Sequence, residues 1–134
     1  MKKHSLTIFT SLMLILTIAT SCGNNKKDNA ILEKYTRMTE QQNQLLPKSM
    51  GDNIRLDKVE ALEGNIFKYY YTFTVDPIPT PEEFIKRSKP RIITMLQDSP
   101  DMNEMRSDRM KLVYCYRKSD KSVYAEVEIS PDEY

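Results

Sequence analysis

The chain has few of the residues on which most enzyme sites are built. Its 134 residues include one histidine, two cysteines, three glycines and no tryptophan. The glycines stand at positions 23, 51 and 64, so neither the P-loop nor the G-x-G-x-x-G spacing occurs. The single histidine, His4, is the fourth residue of the chain. The sequence therefore argues against nucleotide-binding loops and against histidine-based catalysis.

The first 22 residues have the three-part layout of a secretory signal. A basic start from Met1 to His4 precedes an apolar run from Leu6 to Ala19, which is shorter than the roughly 20 residues of a membrane-spanning helix. The layout ends in Ala19-Thr20-Ser21-Cys22, which resembles the lipobox of bacterial lipoproteins, although Ala19 stands where leucine is usual. The resemblance implies cleavage before Cys22 and lipidation of that cysteine. The alternative is an uncleaved anchor in which Cys22 is an ordinary thiol.

This interpretation divides the chain into a signal peptide at 1–21, a lipidated cysteine with a flexible tether at 22–29, and a single domain at 30–134. Cleavage would remove two of the 20 basic residues and leave 18 against 19 acidic ones, a balance that argues against nucleic-acid binding. It would also remove His4, the usual type of general base and metal ligand. We therefore expect no catalytic residue, no metal and no cofactor. Cys115 is expected to be a buried, unpaired strand residue.

Hydrophobic periodicity predicts an α+β domain in the order α-β-β-α-(short α)-β-β. An apolar stripe predicts a first helix over 30–46, and Thr80-Pro81-Glu82-Glu83 is a capping box that starts the second. Pro90 predicts a kink or a break in that helix. We expect a four-stranded antiparallel sheet packed on two main helices. The strands are predicted over 54–62, 66–75, 111–118 and 122–130.

The stretch from Leu45 to Asp132 resembles a family of small, uncharacterised, exported bacterial domains. Many members carry two cysteines that look like a disulfide pair, and this sequence has Asp98-Ser99 and Pro131-Asp132-Glu133-Tyr134 in their places. The resemblance implies a common fold without that cross-link, and it implies no activity for any residue. The matching phrases include Leu45-Leu46-Pro47, Ile54-Arg55-Leu56-Asp57-Lys58-Val59, Ser99-Pro100-Asp101-Met102, Leu112-Val113-Tyr114-Cys115-Tyr116 and Val127-Glu128-Ile129-Ser130-Pro131.

Tyrosine is the residue type in unusual supply, with eight copies. Strand alternation predicts Tyr70 and Tyr124 on the sheet face opposite the core. Lys68, Glu126 and Glu128 are expected beside them. Tyrosine among charged residues is typical of protein-recognition surfaces, and the alternative is cross-strand pairing that only stabilises the sheet. We interpret these five residues as a candidate binding face.

Four bases, Lys86, Arg87, Lys89 and Arg91, make the middle of the second helix basic. The simplest interpretation is a solvated outer face. The alternative is a contact for anionic lipid head groups or for an acidic partner.

Taken together, these patterns predict a monomeric, exported lipoprotein tethered to a bacterial membrane through Cys22, on its periplasmic or cell-surface side. We expect a non-enzymatic module that binds an envelope protein or peptide. A small-ligand or lipid carrier is the first alternative, based on the methionines at 95, 102, 105 and 110 and on the aromatic interior. A hydrolase that uses carboxylates alone is the second.

Overall fold

The computed structural model describes residues 22–134, with side chains from Asn25 onward. The predicted signal peptide at 1–21 and the side chain of Cys22 lie outside the described part, so cleavage and lipidation stay predictions. A short 3-10 turn, Pro100–Met102, precedes α3. The helices and strands are α1 (Cys22–Asn43), β1 (Lys48–Gly51), β2 (Ile54–Leu62), β3 (Ile66–Phe73), α2 (Pro81–Asp98), α3 (Asn103–Ser107), β4 (Lys111–Arg117) and β5 (Val123–Ile129).

Helix α1 begins earlier than the periodicity predicts. Residues 22–29 were expected to form a tether, yet their backbone is helical, because neither glycine nor proline interrupts the chain between Gly23 and Pro47. The exposed, polar residues 25–29 carry no apolar stripe, which is why the pattern missed them. Burial starts with Ile31 and Tyr35, one turn apart. Within residues 22–134, no helix combines the length and the apolar character needed to cross a bilayer.

The sheet has five strands in the order β1-β2-β3-β4-β5 and is mixed, which corrects the expected four-stranded antiparallel sheet. β3 and β4 are parallel neighbours, and the other pairs are antiparallel. The reason lies in the connection between them, since the chain passes through α2 and α3 and returns to the same end of the sheet before β4 begins. Alternation along a strand indicates its faces and not the direction of its neighbour.

Strand β1 is absent from the sequence prediction. It is four residues long, all of them exposed, and it pairs with the start of β2 at the edge of the sheet. Only Met50 among them is a large apolar residue, so no alternation marks the strand.

Both long helices cover the same face of the sheet, called here the inner face. Tyr35 of α1 meets Phe67 of β3 edge-on at 6.0 Å between ring centroids, and Phe84 of α2 meets Tyr116 of β4 at 4.7 Å. Between these contacts, four tyrosine rings from the parallel strands stack on one another. Tyr69 stacks on Tyr114 with 4.8 Å between ring centroids, and Tyr71 stacks on Tyr116 with 5.3 Å. Stacked and edge-on rings add roughly 0.5–1.5 kcal/mol per pair to the burial of their area.

Helix α2 starts with the predicted capping box and passes through Pro90 as one continuous helix. Thr80 accepts a hydrogen bond from the Glu83 amide, and the Glu83 carboxylate accepts one from the Thr80 amide. Ile92 and Leu96 are the buried residues of its inward face. Pro90 lies on the opposite, exposed side, where a proline ring is tolerated more easily.

The C-terminal segment lies against the end of α2. Gln97 Nε2 donates to the Glu133 carbonyl at 3.1 Å. Tyr134 is buried and donates from its hydroxyl to the Met110 carbonyl at 2.6 Å. Hydrogen bonds and an aromatic ring hold this chain end in place.

Candidate functional site

The face of the sheet opposite the helices, called here the outer face, is covered by its own side chains. Val113 and Cys115 of β4 point to this side and are buried at 4% and 2% exposure under long neighbours. Burial raises the pKa of the Cys115 thiol, so this cysteine stays protonated and unreactive at neutral pH. Its predicted burial is confirmed. The surface of the outer face is therefore a layer of polar and aromatic side chains.

Tyr70 lies at the centre of this layer, on the face opposite the core, which is the face that strand alternation predicts for it. Its hydroxyl donates to Glu60 at 2.7 Å, and burial together with this hydrogen bond raises its pKa. Three cationic groups approach its ring, which holds the ring in place through cation–π contacts. The distances to the ring centroid are 5.5 Å for Lys58 Nζ, 5.3 Å for Lys68 Nζ and 5.5 Å for the Arg117 guanidinium carbon.

The structure brings Lys68 and Glu126 together with Tyr70. Lys68 Nζ lies 3.0 Å from Glu126 Oε2, which links β3 to β5 across β4. Glu128 stands two residues further along the outer face and pairs with Lys111 at 3.3 Å. Four of the five residues of the candidate binding face thus lie on one surface.

Tyr124 does not lie on that surface, and its predicted position is wrong. It is buried on the inner face, where its ring meets Phe73 and Phe84 edge-on at 5.8 and 5.5 Å. A bulge explains the reversal, because Tyr116 pairs with Ala125 while Arg117 pairs with Val123, so Tyr124 is the extra residue. An inserted residue breaks the period of two and sends the next side chain to the other face.

Asp57 is the outer-face residue that sequence reasoning missed. It too is the extra residue of a bulge, between Leu56 and Lys58. Its side chain is 12% exposed and is hydrogen-bonded from four directions. Burial alone would raise its pKa, yet the donors around it hold the pKa below the ordinary range. The donors are Arg55, Thr72 at 2.5 Å, Arg117 at 2.9 Å and Lys121 at 3.0 Å.

This cluster ties β2, β3, β4 and the β4–β5 turn together through one carboxylate. It holds three cations around one anion, and the Nε atom of Arg117 is buried without a partner among the described residues. One acidic residue among the alternating apolar and polar residues of β2 gave no sequence signal. Only the bulge, which turns Asp57 to the outer face, creates the cluster.

The carboxylates of this surface are arranged as ion pairs and not as proton donors. The hydrogen bond from Tyr70 lowers the pKa of Glu60, and the pKa of Asp57 is lowered as well. A general acid of a hydrolase needs a raised pKa, so these shifts run in the opposite direction. In the part of the chain that carries side-chain coordinates, no group of three or more His, Cys, Asp or Glu residues is placed to hold a metal ion.

Comparison with known proteins relates the chain to other proteins through its fold. No family model matches the sequence, and no curated protein matches it either. A protein of Pseudomonas aeruginosa described as secreted has a similar structure, with a TM-score of 0.65, 10% identity, and 80% of this chain and 95% of that chain covered. The type II secretion system pilotin AspS of Vibrio cholerae also has a similar structure. Its TM-score is 0.62 at 8% identity, with 83% of this chain and 98% of that chain covered.

A second pilotin, EpsS of the Vibrio vulnificus type 2 secretion system, has a TM-score of 0.57 at 10% identity, with 82% of this chain and 96% of that chain covered. Each comparison spans nearly the whole of the known structure. The chain therefore has the fold of a secreted protein and of two pilotins, and at these identities the likeness concerns the fold alone.

Proposed function

We propose that this chain is a lipid-anchored, non-enzymatic module that binds a protein at the bacterial cell envelope. The observation that carries the proposal is the outer face, where Tyr70 stands among three cations and two carboxylates, and none of the helices within residues 22–134 packs over it. Aromatic side chains held rigidly among charges are favourable contact points, because they lose little conformational entropy on binding.

The fold supports this class of function. Two of the similar structures are pilotins of type II secretion systems, and a protein that pilots another must bind it. We extend that role by analogy: the chain, anchored through Cys22 after removal of the signal peptide, holds one envelope protein on its outer face. The predicted lipobox supports a location on the periplasmic or cell-surface side.

The two alternative functions have less support. Two of the four methionines that suggested a ligand carrier, Met105 and Met110, are core residues at 5% and 1% exposure, while Met95 is exposed. The tyrosine rings of the inner face stack on each other, so the aromatic interior is filled by the protein's own side chains. The lowered pKa values of Asp57 and Glu60 do not support a carboxylate-based hydrolase.

A crosslinking pull-down from intact cells tests the proposal. We expect the wild-type chain to recover one envelope protein that Lys68→Glu loses, since charge reversal beside Tyr70 repels the partner's matching group. The double variant Lys68→Glu/Glu126→Lys is the matched control for folding, because it restores the ion pair in reverse. If the double variant also fails to recover the envelope protein, the effect of Lys68→Glu is on partner recognition and not on folding. Equal recovery by all three chains would contradict the proposed face.

The anchor is tested in the same cells. We expect wild-type protein in the membrane fraction, with an acyl-modified Cys22 as the first residue by mass spectrometry, and Cys22→Ser protein in the soluble fraction. An unmodified Cys22 in a chain that retains residues 1–21 would contradict the proposed lipid anchor.

A further inference from the structure

The exposed side of α2 carries a second charged surface, separate from the outer face. Lys86, Arg87 and Arg91 are exposed, and none of them forms an ion pair with a residue in the described part of the chain. Lys89, between them, pairs with Glu133 at 3.1 Å. No acidic residue occurs from 86 to 91, so three positive charges without an ion pair share less than two turns of helix, one turn after Glu82 and Glu83.

Three adjoining hollows follow this basic segment along the helix. The largest, about 490 Å³, is lined mainly by apolar atoms of Ile85, Pro90 and Ile93, with Lys86 and Lys89 at its rim. A second, about 420 Å³, shares Pro90 with the first and is bordered by Met95, which is 57% exposed. The third, about 320 Å³, lies between α2 and Pro79. The surface therefore alternates apolar depressions with cationic rims.

Pro90 adds a hydrogen-bond acceptor to this surface. In an α-helix the carbonyl of Lys86 accepts from the amide four residues later, and that residue is Pro90, which has no N–H. The Lys86 carbonyl is therefore left without its helical donor beside the largest hollow. A polar group of a bound molecule would supply the missing bond.

We propose that this face of α2, called the α2 groove, binds an acidic amphipathic segment of a protein partner. The apolar side chains of such a segment fit the hollows, and its carboxylates pair with Lys86, Arg87 and Arg91. A peptide fits better than a lipid surface, because the three depressions are separate and shallow and follow one another along α2, as the apolar side chains of a helical segment do. Met95 is also the one large apolar side chain of α2 that protrudes. This inference stands apart from the outer face and does not rest on it.

Fluorescence anisotropy with the full, lipidated chain in detergent micelles tests the α2 groove. The probe is an 18-residue helical peptide with leucines at the i, i+3, i+4, i+7 spacing and glutamates elsewhere. A copy with lysines in place of the glutamates is the charge control. We expect binding of the acidic peptide alone, weakened about tenfold in Lys86→Gln/Arg87→Gln/Arg91→Gln and by raising the salt concentration.

Two further variants separate the groove from general charge. Lys26→Gln/Lys27→Gln/Lys118→Gln removes three exposed bases elsewhere and should bind as the wild type does. Thr94→Trp, at an exposed position between the first two hollows, should block the apolar contact and weaken binding without a change in charge.

Three outcomes would overturn the proposal: equal binding of the acidic and basic peptides, an equal loss in both triple variants, or no binding of the acidic peptide at 1 mM. A triple α2 variant that loses only its binding to vesicles of anionic phosphatidylglycerol would assign the surface to the membrane and also overturn it. None of these results bears on recovery of the partner through Lys68.

Discussion

The two faces of the sheet use the same strands in different ways. On the inner face, tyrosine and phenylalanine rings pack against α1 and α2 and are largely buried. On the outer face, a single layer of charged side chains and Tyr70 covers Val113 and Cys115, and no helix of the described part of the chain lies above this layer. The inner face therefore carries most of the folding free energy through apolar burial, while the outer face keeps groups that a partner can reach.

The bulges show that the boundary between the faces is set by register. One extra residue in β2 turns Asp57 outward to a cluster of donors, and one in β5 turns Tyr124 inward to the core. Bulges commonly re-aim side chains in this way. Tyr70 and Tyr124 look equivalent in the sequence. Tyr70 nevertheless belongs to the outer face, whereas Tyr124 packs in the core.

The largest expected effect separates these two tyrosines. Tyr124→Ala removes a ring that contacts Phe73 and Phe84, and we expect it to lower the free energy of unfolding by about 3–5 kcal/mol. Tyr70→Ala removes a half-buried ring held mainly by cations and should cost about 1 kcal/mol. Urea unfolding followed by circular dichroism measures both. Equal losses would mean that the faces do not differ in this way.

A smaller effect is expected at the Asp57 cluster. Asp57→Asn keeps the shape but removes the charge that four donors share, and we expect a loss of about 2 kcal/mol at pH 7. Because the folded-state pKa lies below the ordinary value of 3.8, this stabilisation is present above about pH 4 and is lost as pH falls through the folded-state pKa.

Unfolding measured from pH 7 to pH 2 checks the sign of this effect. The wild type should lose stability more steeply below pH 4 than Asp57→Asn does, so the two curves should converge in acid. Parallel curves would show that the Asp57 charge contributes nothing to folding.

The smallest expected effect concerns the ion pair on the outer face. Lys68→Glu should lower stability by about 0.5 kcal/mol, since surface ion pairs that solvent still reaches are weak, and adding Glu126→Lys should restore most of it. Thermal unfolding of the single and double variants measures the pair. A loss of several kcal/mol would place Lys68 in the structural core of the protein and weaken its assignment to binding.

Local patterns predicted much of the fold correctly. The strand predicted over 54–62 matches β2, and the Gly64-Asn65 turn is present with positive φ at both residues, 81° and 56°. The capping box at Thr80 starts α2 as expected. These features depend on neighbouring residues, and the physics that favours them acts within a few residues of chain.

The incorrect predictions concern features that are determined by contacts between distant segments of the chain. The parallel pairing of β3 and β4 depends on how α2 returns the chain, and β1 exists only because β2 offers it an edge. The bulges at Asp57 and Tyr124 depend on the register with a partner strand. Periodicity therefore identified Lys68, Tyr70, Glu126 and Glu128 as one surface, and it could not exclude Tyr124 or find Asp57.

The most direct test of the division between the faces is site-specific photocrosslinking in intact cells. A photoreactive amino acid is placed at Lys58, exposed on the outer face beside Tyr70, and separately at Glu40, exposed on α1. We predict one discrete adduct with an envelope protein from position 58, and none of the same mass from position 40. An adduct from position 40 alone, with none from position 58, would contradict the assignment of the outer face to binding.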